Sequence, residues 1–171
     1  LAYDNFMIIY EYTNKMYIAR QDLRQIRRII VADYRETVDY ILGIPLFAQK
    51  IGKENLSSLL CRLGNPEKAI PAVHVAGTNG KGSTCRALAQ MLTGMGYRVG
   101  LFTSPHLVSI NERIQIDGEN ISDADFVWAF ETVKEKFTQH PSFFEVMFAM
   151  AAVYFREKKC DFVVYETGMG G

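Results

Sequence analysis

One stretch limits what this chain can fold into more than any other: VHVAGTNGKGST, from Val73 to Thr84. A short apolar, β-branched run bounded by Pro71 and Gly77 suits a buried strand. Gly77, Gly80 and Gly82 break that run. The next residues, STCRALAQMLTGMG, place Leu88, Met91, Leu92 and Met95 on one helical face, with Gly94 and Gly96 as the stop. YRVGLFTS then reads as a second strand. Strand, glycine-rich turn, helix and strand make a βαβ unit with a right-handed crossover, so a mostly parallel sheet is expected. The glycines let the backbone turn several N–H groups toward one concavity, and the helix N-terminus adds partial positive charge. Such a turn suits phosphate, and Lys81 brings a full charge for the outer phosphates of a nucleotide.

The stretch still departs twice from the common nucleotide-binding signature. That pattern places a Gly five residues before the Gly–Lys pair and a Ser or Thr directly after the Lys. Here Val75 and Gly82 stand at those positions, and Ser83 lies one residue late. The missing hydroxyl is the one that holds magnesium, so the metal needs other oxygen donors. In open α/β sheets ligands sit beyond the carboxyl ends of the strands. Two oxygen donors fall at such ends: Ser104 after VGLFT and Glu166 after DFVVY. Glu166 stands where proteins of this loop class carry their acidic metal residue.

The rest of the chain fits an α/β protein. YRETVDYILGI and NLSSLLCRLGNP read as helices ended by Gly43 and Pro45, and by Gly64 and Pro66. SPHLVSINERIQIDGENI has loop and hairpin character. Ser122 with Asp125 resembles a capping box opening a helix, whose buried face is Phe126, Ala129, Phe130 and Val133 with Trp128 beside it. FFEVMFAMAAVYFREKK is a long apolar helix expected to pack on the sheet, and CDFVVYETGMGG is a near-continuous buried strand. Residues 1–33 differ: they lack Gly and Pro, and Leu23, Ile26 and Ile30 recur at helical spacing with Arg20, Arg24, Arg27 and Arg28 largely off that stripe. They read as an appended surface helix.

Charge and cysteines set the excluded classes. Lys+Arg and Asp+Glu number 19 each, which gives no field to attract nucleic acid or an anionic membrane. Cys61, Cys85 and Cys160 lack metal-ligand spacing and read as reduced thiols of a cytoplasmic protein.

Five motifs in register, HVAGTNGKGST, GLFTSPHL, NERIQIDGENIS, FFE and ETGMGG, resemble the folylpolyglutamate synthase and dihydrofolate synthase family, folate relatives of the Mur ligases. The resemblance runs from Tyr34 to the last residue. It implies a three-layer αβα fold of the P-loop type with a mostly parallel sheet, and an ATP-binding ligase domain over 34–171 that is incomplete, with 1–33 outside the pattern. It implies MgATP chemistry: a folate or dihydropteroate carboxylate is activated as an acyl phosphate, which the amine of L-glutamate attacks. Thr78, Asn79, Gly80, Lys81, Gly82 and Ser83 match the family's ATP loop, with Lys81 catalytic. Ser104 and Glu166 match its metal ligands, and Ser142, Phe143, Phe144 and Glu145 match its pterin-binding segment. His106 falls in the loop after the second strand and is given no catalytic role. The family pattern continues past ETGMGG, so the chain is expected to be truncated, a monomer, and inactive alone. The alternatives are another P-loop NTPase, or a nucleotide-binding module without catalysis.

Overall fold

The computed structural model describes residue 30 and residues 33–44, 54–138 and 141–168. Most of the 1–33 extension, including Leu23 and Ile26 of its stripe, lies outside those residues, as do Pro45 and the final three residues. Helix α1 covers 33–42 and α2 covers Glu54–Arg62. They are followed by β1 (Ala72–Val75), α3 (Lys81–Gly94), β2 (Val99–Phe102), β3 (Ile114–Ile116) and β4 (Glu119–Asn120). The described chain closes with α4 (Asp123–Lys134), α5 (Phe143–Glu157) and β5 (Phe162–Glu166). The strands form one sheet in the order β1-β5-β2-β3-β4. β1 and β2 each pair parallel with β5, while β3 pairs antiparallel with both β2 and β4. Only β3 therefore runs against the others, and the expected βαβ unit is present as β1–α3–β2.

The period of two along the strands divides the core between the two faces. Phe102, Val163 and Tyr165 turn toward a large cluster built with α1, α2, α4 and α5. Val99, Leu101 and Val164 turn toward Cys85 and Ala89 of α3. Helices on both faces of the sheet give the three layers. α5 is apolar almost all round, as expected of a helix buried on every side. Its residues from Ala149 to Phe155 are all buried, and Phe155 is fully so. Gly100 explains how closely α5 approaches. A Cβ there would stand 2.7 Å from the Phe155 ring, inside any real carbon contact. The β3–β4 hairpin turns through Asp117 (φ 52) and Gly118 (φ 85), the left-handed pair that a two-residue turn requires.

Two expectations are corrected. β1 is not buried: His74 is exposed and Val73 is 39% exposed. The strand pairs on one side only among the described residues, which leaves its other edge and its faces open there. On α3 the buried stripe is Cys85, Leu88, Ala89 and Leu92, whereas Met91 and Met95 are 66% and 69% exposed. The helix rotates to lay its small residues against the sheet, which lets its axis approach closely.

Candidate nucleotide and metal site

All three parallel strands end at one edge of the sheet, and the expected site residues gather there. The loop after β1 reaches α3 through Gly80, whose φ of 76 is left-handed and whose missing side chain leaves the helix without a cap. No acidic residue occupies the first turn of α3. Its unpaired N–H groups, on Lys81, Gly82 and Ser83, are thus free to meet an anion. Thr84 bonds back instead, its hydroxyl donating to the Gly80 carbonyl at 3.0 Å. The Lys81 ammonium is folded onto its own loop, donating to Gly77 O at 2.8 Å and to Thr78 O at 3.4 Å. These acceptors are neutral carbonyls, weaker partners for an ammonium than a full negative charge would be. Thr78, Asn79 and Gly80 are exposed along the same turn.

Glu166, the last residue of β5, joins this loop to the one after β2. It is 5% exposed, and its Oε2 accepts the Ser104 backbone N–H at 2.8 Å. A Cβ built on Gly82 would stand 3.6 Å from both carboxylate oxygens, so the carboxylate lies against the position where the standard loop carries its hydroxyl. Neither of the two ion pairs among the described residues involves Glu166. The buried Arg113 guanidinium feels the Glu166 charge, and a cation bound at the carboxylate would add to that compensation. Oxygen donors at a strand tip suit a hard ion such as magnesium, which takes one or two protein ligands and fills the rest with water and phosphate. No cluster of three or more His, Cys, Asp or Glu side chains able to hold a metal occurs among the described residues. Cys85, under the loop, has its thiol pushed up to about 11 by burial and then by Glu166, so it supplies no thiolate near neutral pH.

The loop after β2 is tied by side chains that the sequence reading left without a role. The Glu112 carboxylate accepts three successive backbone N–H groups, from Leu107 at 2.8 Å, Val108 at 2.9 Å and Ser109 at 2.8 Å. Those bonds hold Glu112 below the usual carboxylate range. Arg113, 8% exposed, donates from Nε to His106 Nδ1 at 2.8 Å, and its guanidinium lies 5.0 Å from the centre of the Phe143 ring. Burial and then the Arg113 charge hold the His106 imidazole below its ordinary value. A signal for Glu112 was present: Ser109-x-x-Glu112 is a capping-box pattern, and the box forms.

Ser142, Phe143, Phe144 and Glu145 open α5 beside this loop. Ser142 and Glu145 form a second capping box, with the Glu145 carboxylate accepting the Ser142 N–H at 2.7 Å. Phe143 is 5% exposed, and Phe144 packs edge-on against Phe102 at 5.6 Å. Phe144 also lies under Gly168, just past β5. The segment therefore reaches the same end of the sheet, with its polar members spent on starting the helix.

No family model matches the chain. It is 44% identical over 146 residues to the dihydrofolate synthase/folylpolyglutamate synthase of Bacillus subtilis, a match covering 81% of this chain and 34% of that protein. Over the residues matched, the chain is similar to the folylpolyglutamate and dihydrofolate synthases. Solved structures agree: the folylpolyglutamate synthase of Thermotoga maritima superposes with a TM-score of 0.77 at 40% identity, over 82% of this chain and 34% of that one. A complex of folylpolyglutamate synthase with AMPPCP and folate gives 0.77 at 40% identity, over 81% and 36%. The chain thus spans about a third of the length of the synthases it matches.

Proposed function

We propose that this chain forms the nucleotide- and metal-binding part of an ATP-dependent ligase that joins L-glutamate to a folate or dihydropteroate carboxylate. The observation that carries the proposal is the position of Glu166, buried, set against Gly82 and bonded to the Ser104 N–H. This is where a loop lacking its own hydroxyl needs a metal ligand. The bound nucleotide of synthase relatives and the folate of the AMPPCP complex support the same assignment.

The chemistry follows from charge. A substrate carboxylate and the γ-phosphate of ATP repel, and the repulsion must fall as the phosphoryl group moves to give an acyl phosphate. Lys81 leaves Gly77 O for the phosphates, and the N–H groups opening α3 fix their position, acting as preorganised positive charge. Glu166 and Ser104 would hold magnesium, which would supply positive charge to neutralise the phosphates. The glutamate amine then attacks the acyl carbon: the C–N bond of the amide forms as the C–O bond to phosphate breaks. Inorganic phosphate leaves and takes up the amine proton, and no protein nucleophile is required. Phe143 is buried under the Arg113 guanidinium and has no surface for a ligand, so within that segment only the half-buried Phe144 ring is left to meet a flat pterin, while Thr78 to Ser83 line the triphosphate. No described helix is long and apolar enough to cross a membrane. The proposal places the protein in the cytoplasm as a monomer.

The test is ADP release by the full-length protein with ATP, magnesium and L-glutamate, comparing dihydropteroate with tetrahydrofolate and wild type with Ser104→Ala. ADP release that requires a folate acceptor and falls in the variant supports the proposal. ADP release indifferent to the acceptor and to Ser104 indicates an ordinary NTPase and overturns it.

A further inference from the structure

The segment between β2 and the 3-10 turn at Ile110–Arg113 presents a physical problem. It carries Ser104 at one end, yet its middle buries almost nothing: Leu107 is 86% exposed and Val108 is 91% exposed. A loop of this kind is normally mobile, because no apolar contact offsets the entropy of ordering it. Here one dipeptide ties it. Glu112 takes the N–H groups of residues 107, 108 and 109, and Arg113 takes the His106 ring. The backbone of the same dipeptide receives the other end of the segment. The Thr103 N–H donates to Arg113 O at 3.0 Å and its hydroxyl to Glu112 O at 3.5 Å. Asn111 anchors the turn to the body of the protein, donating to Ile121 O at 2.9 Å and Asp123 Oδ1 at 3.0 Å and accepting from Tyr34 at 2.7 Å.

We infer that Glu112 is a positioning residue for the metal side of the site: by gathering three loop amides on one anchored carboxylate, it fixes the path of residues 104–109 and so holds Ser104 against Glu166. Its carboxylate touches no reacting atom. Three charge-assisted hydrogen bonds converge on it, each stronger than a neutral one, and a neutral amide cannot replace them. A glutamine side chain has one acceptor oxygen, and its NH2 group would face the backbone donors. The inference rests on Ser104 and Glu166 holding magnesium, as proposed above.

The test uses the full-length protein and the analogue AMPPCP. Affinity is measured with and without magnesium for wild type, Glu112→Gln and Ser109→Ala, together with amide exchange at residues 107–109. Ser109→Ala removes the hydroxyl of the capping box but leaves the Glu112 carboxylate and its three amides. In Glu112→Gln, exchange at 107–109 is expected to rise about tenfold or more, and the magnesium-dependent gain in affinity to fall by a similar factor. Affinity without magnesium is expected to stay within about twofold of wild type, since the loop after β1 is untouched. Ser109→Ala should keep the magnesium gain. A Glu112→Gln protein that keeps its full gain, or whose amides stay protected, overturns the inference alone. A wild type with no magnesium gain overturns the metal assignment and this inference with it. If Glu112→Gln does not fold, Glu112→Asp carries the same test with the same two outcomes, keeping the charge but too short by one methylene to span the three amides.

Discussion

The two loops that meet at Glu166 are built in opposite ways. The loop after β1 is shaped by its own backbone: Gly80 is left-handed, α3 begins without a side-chain cap, and Lys81 bonds to carbonyls three and four residues away. The loop after β2 is shaped from outside, by Glu112 and Arg113 beyond its far end. On the proposed function, the first leaves its N–H groups vacant for an anion. The second has its N–H groups filled, because its task is to hold still. The same backbone donors are thus left open where a ligand binds and closed where one is only supported. Glu166 touches both loops, lying against Gly82 of the first and bonding the N–H of Ser104 in the second.

The largest effect expected therefore comes from removing the shared contact. In the full-length protein Glu166→Gln should lower turnover about 10²–10³-fold, the scale for losing a principal electrostatic group. Loss of the magnesium requirement with turnover intact would separate the two loops. Lys81→Met acts on the first loop alone. Turnover should fall by about 10²-fold while amide exchange at residues 107–109 stays at the wild-type rate. A change in exchange there would show that the loops are mechanically coupled. Gly80→Ala is a smaller disturbance, again confined to the first loop. A Cβ at Gly80 meets nothing within 4 Å, so only the φ of 76 resists it. The expected cost is about 1–2 kcal/mol in denaturant unfolding, and an unchanged midpoint would mean that the loop relaxes freely. Acidification should act on the second loop through Glu112. The Glu112 pKa is held below its ordinary value by the backbone amides, so its contribution is complete above the ordinary glutamate pKa. It is lost as pH falls from there through the lowered folded value. Protection factors at 107–109 should decline over that range, and protection that persists well below it would remove the carboxylate from the account.

That contrast also explains what was legible in the sequence. Features determined by near neighbours in the chain were readable: the glycine turn, the apolar run of α5, the hairpin character of SPHLVSINERIQIDGENI without its turn residues, and the strand ending at Glu166. Features determined through space were not. Met91 and Met95 keep helical spacing with Leu88 and Leu92, but which stripe faces the sheet depends on the small residues Cys85 and Ala89. The exposure of β1 depends on its neighbours in the sheet, which its own composition does not record. Glu112 and Arg113 stood in a quoted motif without a role, because the loop that needs them lies across a turn. Ser142 and Glu145 carried a capping-box spacing as plain as any, yet were weighed only as possible ligand contacts.

The most direct measurement is a crystal structure of the full-length protein with AMPPCP and manganese in place of magnesium, with the ion located by its anomalous signal. The account predicts an ion at about 2.0–2.2 Å from a Glu166 carboxylate oxygen and from the Ser104 hydroxyl, the range for small hard cations on oxygen. An ion bound instead by the Ser83 or Thr84 hydroxyl, with Glu166 outside its coordination sphere, would contradict it.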